Sequence, residues 1–360
     1  MSSVSGPVSV RTWHDEWFPN DPLYDATFEG IFKELEKRGG GEAILGAETY
    51  DISKTIVIPK RCSLRGVSGQ SQIGNDSFSQ GVSLIRLRSD ASPAIHLFGG
   101  GFGAGWLSPY LTGLSLMRLP PSRREGVSHV GVLVEDTNYA LIRDVSVFNF
   151  AEGVYVKQSL GCKLDYICIS GSVRSYVLIE NSQEVTFTNC NFGRNGMESV
   201  GPPIAYVVIT DAGPGHRCDT LNFIGCIFIT REHELAKVVE KQAVGFHFKL
   251  VKEDGDGIYN ITNCVMENVL HAVHCTSAIV RHLCIANSNI RVDASRYLFN
   301  FDALSHAHQW RLIGNQLTGE LLLPPGSNEF LVIGNHIRCR SGRIAIENSK
   351  ECSNIITVPP

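Results

Sequence analysis

The chain has 360 residues, with 32 Lys and Arg against 36 Asp and Glu, a formal net charge of −4 and a pI near 6.3. No basic stripe is present to neutralise phosphates, which argues against a nucleic-acid partner, and no apolar run approaches the roughly 20 residues a membrane span needs. Met1-Ser2-Ser3-Val4-Ser5-Gly6 lacks the basic-then-apolar pattern of a secretion signal, so the expectation is synthesis in the cytoplasm, with action outside the cell reached by lysis or a dedicated apparatus.

In chain order, the first element expected is an amphipathic helix over Asp25–Lys37, with apolar Phe28, Ile31, Phe32 and Leu35 and a cap at Asp25 or Thr27. Gly39-Gly40-Gly41 ends it. Brief strands follow around Glu42–Leu45, Gly46–Ile52, Thr55–Pro59 and Cys62–Gly66. Gly99–Gly105 superficially suggests a phosphate-cradling loop, but Trp106-Leu107-Ser108-Pro109 follows it instead of a helix, so it reads as a plain loop.

From residue 149 a small device repeats eight times, a run of alternating apolar residues ending in Asn or Gly. The pairs are Asn149-Phe150, Gly171-Ser172, Asn189-Cys190, Gly225-Cys226, Asn263-Cys264, Asn287-Ser288, Gly314-Asn315 and Gly334-Asn335, at intervals of 22, 18, 36, 38, 24, 27 and 20 residues. Asn and Gly tolerate the left-handed backbone region at least cost, so each pair reads as a tight bend between short strands. A second strand recurs between bends, at Gly131–Glu135, Gly153–Lys157, Val177–Glu180, Val207–Thr210, Phe246–Lys249 and Ile344–Glu347. Each alternates an inward β-branched or aromatic residue with a variable outward one. No helical stripe follows residue 40. The fold class expected is all-β, a right-handed parallel β-helix whose coils stack as a solenoid, with an N-terminal capping helix to cover its open end. The division is residues 1–70 as cap and first strands and 71–360 as one continuous β-helix. Cys190, Cys226 and Cys264 fall in one slot that later coils fill with Ser288, Asn315 and Asn335, so they read as an internal ladder of small side chains, not as disulfides.

Gly39 to Gly41, Gly46, Thr49, Tyr50, Ile52, Ile56, Ile58, Pro59, Leu64, Arg65 and Gly66 resemble the entry segment of the pectate-lyase-like β-helix superfamily, nearest to phage tailspikes and polysaccharide depolymerases. That resemblance implies a polysaccharide substrate and a homotrimer. It is weak for reaction, because this fold hosts hydrolases, lyases, epimerases, fructan transferases and adhesins. Polygalacturonase-type sets, the Asp-Pro-His-Glu of alginate epimerases and the Trp-Ile-Asp-His of calcium pectate lyases are all missing.

Candidate residues therefore come from geometry. The outward face of the second strand, beside the longest intervals, carries Tyr155, Lys157, Leu178, Glu180, Tyr206, Val208, Thr210, His247, Lys249, His274, Asn300 and Asp302, with Asp211 at a strand end. Glu180 and Asp211 are the expected carboxylate pair of a glycoside hydrolase. His247 and Lys249, with Tyr155 or Tyr206, are the groups a β-elimination would use. Tyr155, Lys157, Tyr206, Arg194, Arg217 and Arg231 are the expected sugar-binding groups, with loops at 193–204 and 229–244 walling a groove. Leu178 and Val208 suit packing against a sister subunit. His271, His274, Cys275, His282 and Cys284 contain zinc-type ligands, but a strand points His274 and Cys275 to opposite faces, so no metal or other cofactor is expected. Lys252–Gly257 lacks the EF-hand pattern and reads as a polar turn. The functional expectation is a glycan-cleaving enzyme, a hydrolase slightly ahead of a lyase. The alternatives are a non-catalytic β-helix for attachment or virion structure, and fructan transfer.

Overall fold

The computed structural model describes residues 6–68, 81–100, 108–122, 128–193, 204–211, 217–229, 243–251, 257–276, 279–292, 296–302, 306–322, 329–339, 349–352 and 355–357. Among them, strands form a 23-stranded sheet, a nine-stranded sheet and a two-stranded pair. Pairing is parallel from coil to coil, as in Glu152–Lys157 with Ser175–Glu180 and Lys163–Asp165 with Thr186–Thr188. One coil contributes a strand to the nine-stranded sheet, turns, and contributes two short strands to the long sheet. This is a parallel β-helix.

The period-two pattern explains why. Val154, Val156, Val177, Ile179, Val207 and Ile209 all face the interior and are buried. Parallel stacking places like residue over like, so rings pile up inside: Phe187 lies on Phe223 with centroids 4.8 Å apart and planes 4° apart. Phe192 stacks on Phe228 at 4.9 Å.

The bend inside the long sheet recurs at Gly113, Asp144, Tyr166, Asn189, Gly225, Asn263, Asn287, Gly314 and Gly334, all with φ between 50° and 66°. The first two expected bends therefore belong elsewhere. Asn149 and Gly171 stack on each other at the following corner, where a Cβ on Gly171 would come within 2.7 Å of Asn149 Oδ1. The 18-residue interval ran from one kind of corner to another. In those two coils the bend falls on Asp144 and Tyr166, which carry no Asn or Gly signal.

The slot after the bend holds the expected ladder. Cys264 N donates to Ser288 Oγ at 3.1 Å, Ser288 N to Asn315 Oδ1 at 2.9 Å, and Asn315 N to Asn335 Oδ1 at 3.0 Å. Cys190, Cys226 and Cys264 are buried in the same line, and the described cysteines are all free thiols.

Two helices precede the first coils. Asp25–Lys37 is helical as expected, burying Phe28, Ile31, Phe32 and Leu35. Its cap differs from expectation. Tyr24 is the N-cap and makes no side-chain cap bond, while Asp25 accepts from Ser53 N at 2.8 Å, Ser53 Oγ at 2.5 Å and Lys54 N at 2.9 Å, bracing a neighbouring turn. Thr27 Oγ1 lies 2.8 Å from His14 Nδ1. His14 belongs to a second helix, Val10–Trp17, which the sequence reading missed because it is short; Ser9 caps it. Among the described residues no helix is long and apolar enough to cross a membrane.

Candidate functional site

The nine-stranded sheet presents two outward ladders. One runs Val57, His96, Leu133, Tyr155, Leu178, Val208, His247, His274 and Asn300. The other, two positions on, runs Pro59, Phe98, Glu135, Lys157, Glu180, Thr210 and Lys249. Every ladder step is one coil, about 4.8 Å.

Polar side chains converge at the middle of these ladders. Lys157 Nζ lies 2.7 Å from Glu135 Oε1, and His96 Nε2 lies 3.2 Å from Glu135 Oε2. Tyr155 donates its hydroxyl to Glu180 Oε2. The contacts shift the proton affinities in a consistent way. The bond to Glu135 holds Lys157 more firmly protonated. Burial lowers the His96 pKa, with Glu135 working against it, so that ring favours the neutral form. Burial first, then Glu180, pushes the Tyr155 phenol well up.

The backbone beneath the cluster is set by a repeated corner. Asp136, Gln158 and Asn181 follow Glu135, Lys157 and Glu180 in left-handed conformation, with φ of 49°, 48° and 47°. The next residue then donates back to the site residue's own carbonyl. Thr137 bonds Glu135 O at 2.9 Å, Ser159 bonds Lys157 O at 2.8 Å, and Ser182 bonds Glu180 O at 2.8 Å. Ser159 N and Thr137 N donate to the hydroxyl of the next coil, which ties the three corners into one line.

Several expectations change. Asp211 does not join Glu180 on the outer face. Thr210 is the residue in register with Glu180, so Asp211, one position on, turns inward, where it is 2% exposed and accepts from Val251 N at 2.5 Å. A one-residue offset reverses the face of a strand residue. Tyr206 also points inward and is fully buried, 5.0 Å from the Tyr176 ring. The first three positions of these strands are all buried, so the outward alternation begins only after Tyr206. Neighbouring coils have Gly131, Gly153 and Gly245 there, and a Cβ on Gly153 would sit 2.4 Å from Ile169.

His247 and Lys249 do face outward, but they lie two coils beyond Glu180 and do not meet it. His247 stacks on His274, centroids 4.7 Å apart and planes 4° apart. Arg217 lies outside the strands of the nine-stranded sheet. Arg194, Arg231, Ile344–Glu347, most of both loops expected to wall the groove, and most of the Gly99–Gly105 and Lys252–Gly257 turns lie outside the described residues. Among the described residues no group of three or more His, Cys, Asp or Glu could hold a metal ion, and Cys275 is buried while its neighbour His274 faces out.

Glu135 and His96 were missed. The long intervals drew attention to later coils, and cross-coil register decides which charges meet. A charged residue followed two positions later by Ser or Thr, in Glu135/Thr137, Lys157/Ser159 and Glu180/Ser182, was the available signal.

A second polar cluster imitates a catalytic triad. Ser122 Oγ lies 3.3 Å from His129 Nδ1, and His129 Nε2 lies 3.4 Å from Asp90 Oδ1. Arg118 Nη2 sits 3.3 Å from that same Nε2 and 2.6 Å from Asp90 Oδ1. Arginine only donates, so Nε2 accepts and Nδ1 carries the hydrogen. Ser122 then accepts from the imidazole and has no base to take its proton. Ser122 is also 1% exposed. Burial and then Arg118 disfavour the imidazolium such chemistry needs. The cluster is structural.

No protein-family model matches the chain, and no curated protein does. Solved structures match its fold. A tailspike protein from Acinetobacter baumannii bacteriophage Fri1, a capsular polysaccharide depolymerase, superposes at TM-score 0.58 and 11% identity over 100% of this chain and 64% of its own. The surface adhesin PfbA of Streptococcus pneumoniae superposes at 0.60 and 12% identity, over 98% of this chain and 90% of its own. A Geobacillus virus E2 protein superposes at 0.52 and 12%, over 98% and 60%. The chain thus spans about three fifths of the length of these two phage proteins.

Proposed function

We propose that this protein cleaves a polysaccharide by hydrolysis, and that Glu135 and Glu180 are its carboxylate pair. The observation that carries the reading is the ladder Glu135–Lys157–Glu180, with Tyr155 on Glu180 and Lys157 and His96 on Glu135. Two coil steps separate the carboxylates by about 9.6 Å at the backbone. That backbone spacing is just beyond the wide end of the carboxyl separation of about 6.5 to 9.5 Å that leaves room for a water in inverting glycosidases, and far from the roughly 5 Å of retaining ones. Glu135, held by a cation, is assigned as the base that activates water. Glu180, whose Oε2 accepts from Tyr155, is assigned as the acid, giving the leaving oxygen a proton carried on Oε1. The Fri1 tailspike is described as acting on capsular polysaccharide, and this chain shares its fold, which supports the substrate class.

The lyase reading is weaker here. It would use His247 and Lys249 with Tyr155 or Tyr206; the Tyr155 phenol is pushed up and Tyr206 is inside the solenoid, which leaves it the neutral His247, two coils from the Glu135–Lys157–Glu180 cluster. Attachment without catalysis is the other reading, favoured by the likeness to the PfbA adhesin. Incubation with a panel of capsular and exopolysaccharides separates the three. New reducing ends with inverted anomeric configuration and no absorbance near 230 nm support hydrolysis. Unsaturated products mean a lyase, and binding without products means an adhesin. Glu135→Gln and Glu180→Gln should each lower the rate by about 10² to 10⁴-fold in a folded protein.

We further propose a homotrimer that leaves open the face carrying Tyr155, Glu135 and Glu180, on which the outward Leu133, Leu178 and Val208 also lie. Light scattering should give three times 39.5 kDa; a single-chain mass at micromolar concentration overturns it.

A further inference from the structure

We propose that Lys249 and the stacked rings of His247 and His274 form a subsite for the carboxylate of an acidic sugar residue, two coils along the face from Glu180. The inference rests on the hydrolase reading only for the direction in which the glycan lies. The other charges in the middle of this face have partners: Glu135 has Lys157 and His96, Glu180 has the Tyr155 hydroxyl, and Asp302 has His274 at 3.3 Å. Lys249 is the exception. It is exposed, outward, and makes no ion pair among the described residues. The register Glu180, Thr210, Lys249 places it about 9.6 Å from Glu180 along the ladder, within the reach of a short oligosaccharide bound across the carboxylate pair.

The surroundings select for an anion on one side. On the preceding coil, Val208 and Thr210 carry no charge. On the following coil stand His274, with its planes parallel to His247, and Thr276, whose Oγ1 is 3.3 Å from His247 Nε2. His271 lies beyond His274, at 6.4 Å between rings. Among the described residues Asp302 is the acidic group in contact, and it sits on His274, away from Lys249. A carboxylate therefore finds its place over Lys249 and the His247 edge. Burial, then Lys249 and His274, hold His247 neutral, with a pKa down at about 4. A bound carboxylate offsets Lys249 and favours the imidazolium, so binding takes up a proton and tightens as pH falls from 7 to 5.

The test is a titration of ring-labelled histidines by NMR with glucuronate, its neutral methyl ester, glucose and glucose 6-sulfate. Glucuronate is expected to shift the His247 and His274 resonances and raise the His247 pKa, while the ester and glucose leave them in place. Lys249→Gln should weaken glucuronate binding by about two- to fivefold, the range of one exposed ion pair, and Lys249→Arg should restore it. No shift at tens of millimolar glucuronate, or an equal shift in Lys249→Gln, overturns the subsite. An equal response to glucose 6-sulfate overturns the choice of carboxylate. Glu180→Gln should keep this binding while losing cleavage. Cleavage by a protein that shows no such shift sinks the subsite alone, and the shift in a protein that cleaves no polymer sinks the hydrolase reading alone.

Discussion

One hydroxyl holds Glu180, the carboxylate proposed as the acid. The phenol of Tyr155 is half-buried and donates to the carboxylate one coil on. Tyr155→Phe keeps the ring and removes that donor, so the expected loss is in kcat, about 10- to 100-fold, with KM and the thermal midpoint nearly unchanged. A matched fall in thermal midpoint would assign Tyr155 to packing instead. His247 gives a residue-scale prediction about pH. Its pKa is about 4 in the folded chain against about 6.5 unfolded. The unfolded chain thus binds the proton first as pH falls. Stability is fully present above about pH 6.5, declines through the window to about 4, and levels off below it. His96, His129 and His271 are shifted the same way, chiefly by burial. His247→Gln should therefore shrink, without abolishing, the drop in thermal midpoint between pH 7 and pH 5. An unchanged drop would show that the ring is not held neutral.

At the scale of the strand and its corner, the hydroxyl line decides how rigidly the charged ladder is held. Ser182 donates to Glu180 O and accepts from Ser159 N at 3.2 Å, and it is fully buried. Ser182→Ala strands the buried Ser159 N, while Glu180 O keeps its bond from Gln158 N at 3.0 Å, which should cost about 1 to 3 kcal/mol in denaturant unfolding. Ser182→Cys, the type already present at Cys218 where Sγ bonds Thr210 O at 3.1 Å, should recover most of it. An Ala variant as stable as the parent would mean the corner is held by the backbone alone. This line also shows what the sequence could and could not disclose. Alternation such as Val154, Val156 against Tyr155, Lys157 announced the strands and their inner face, because a period of two survives in a single sequence. Bends were visible where the left-handed residue was Asn or Gly, and invisible at Asp144 and Tyr166, where stacking overrides residue preference. Register was the part that could not be read, because coils differ in length. That is why Asp211 was placed on the wrong face and Glu135 was passed over. Tyr206 failed for a related reason: alternation begins only after the buried entry of its strand.

A solenoid of this kind holds each coil by its two neighbours, so the stability of the whole is close to a sum over coils and their interfaces. One complete coil should then be removable if the cut joins equivalent positions. Residues 264–287 run from just after the bend at Asn263 through the bend at Asn287, a span of 24 residues. Deleting them joins Asn263 to Ser288, which recreates the Asn287-Ser288 step of the parent chain. It also sets Asn260 beside Arg311, since the removed strand held Cys284 between them. Every retained strand keeps its inward and outward faces. The deleted coil carries His274 but neither Glu135 nor Glu180, and so the shortened protein should fold, show β-rich circular dichroism, unfold at a lower temperature and still cleave its glycan. A deletion of 12 residues from the same starting point removes half a coil and places the remaining strands against the wrong sheet. That variant should not fold. If both deletions behaved alike, coil-by-coil additivity would not describe this chain, and the ladder that positions Glu135, Lys157 and Glu180 would depend on contacts far from its own coils.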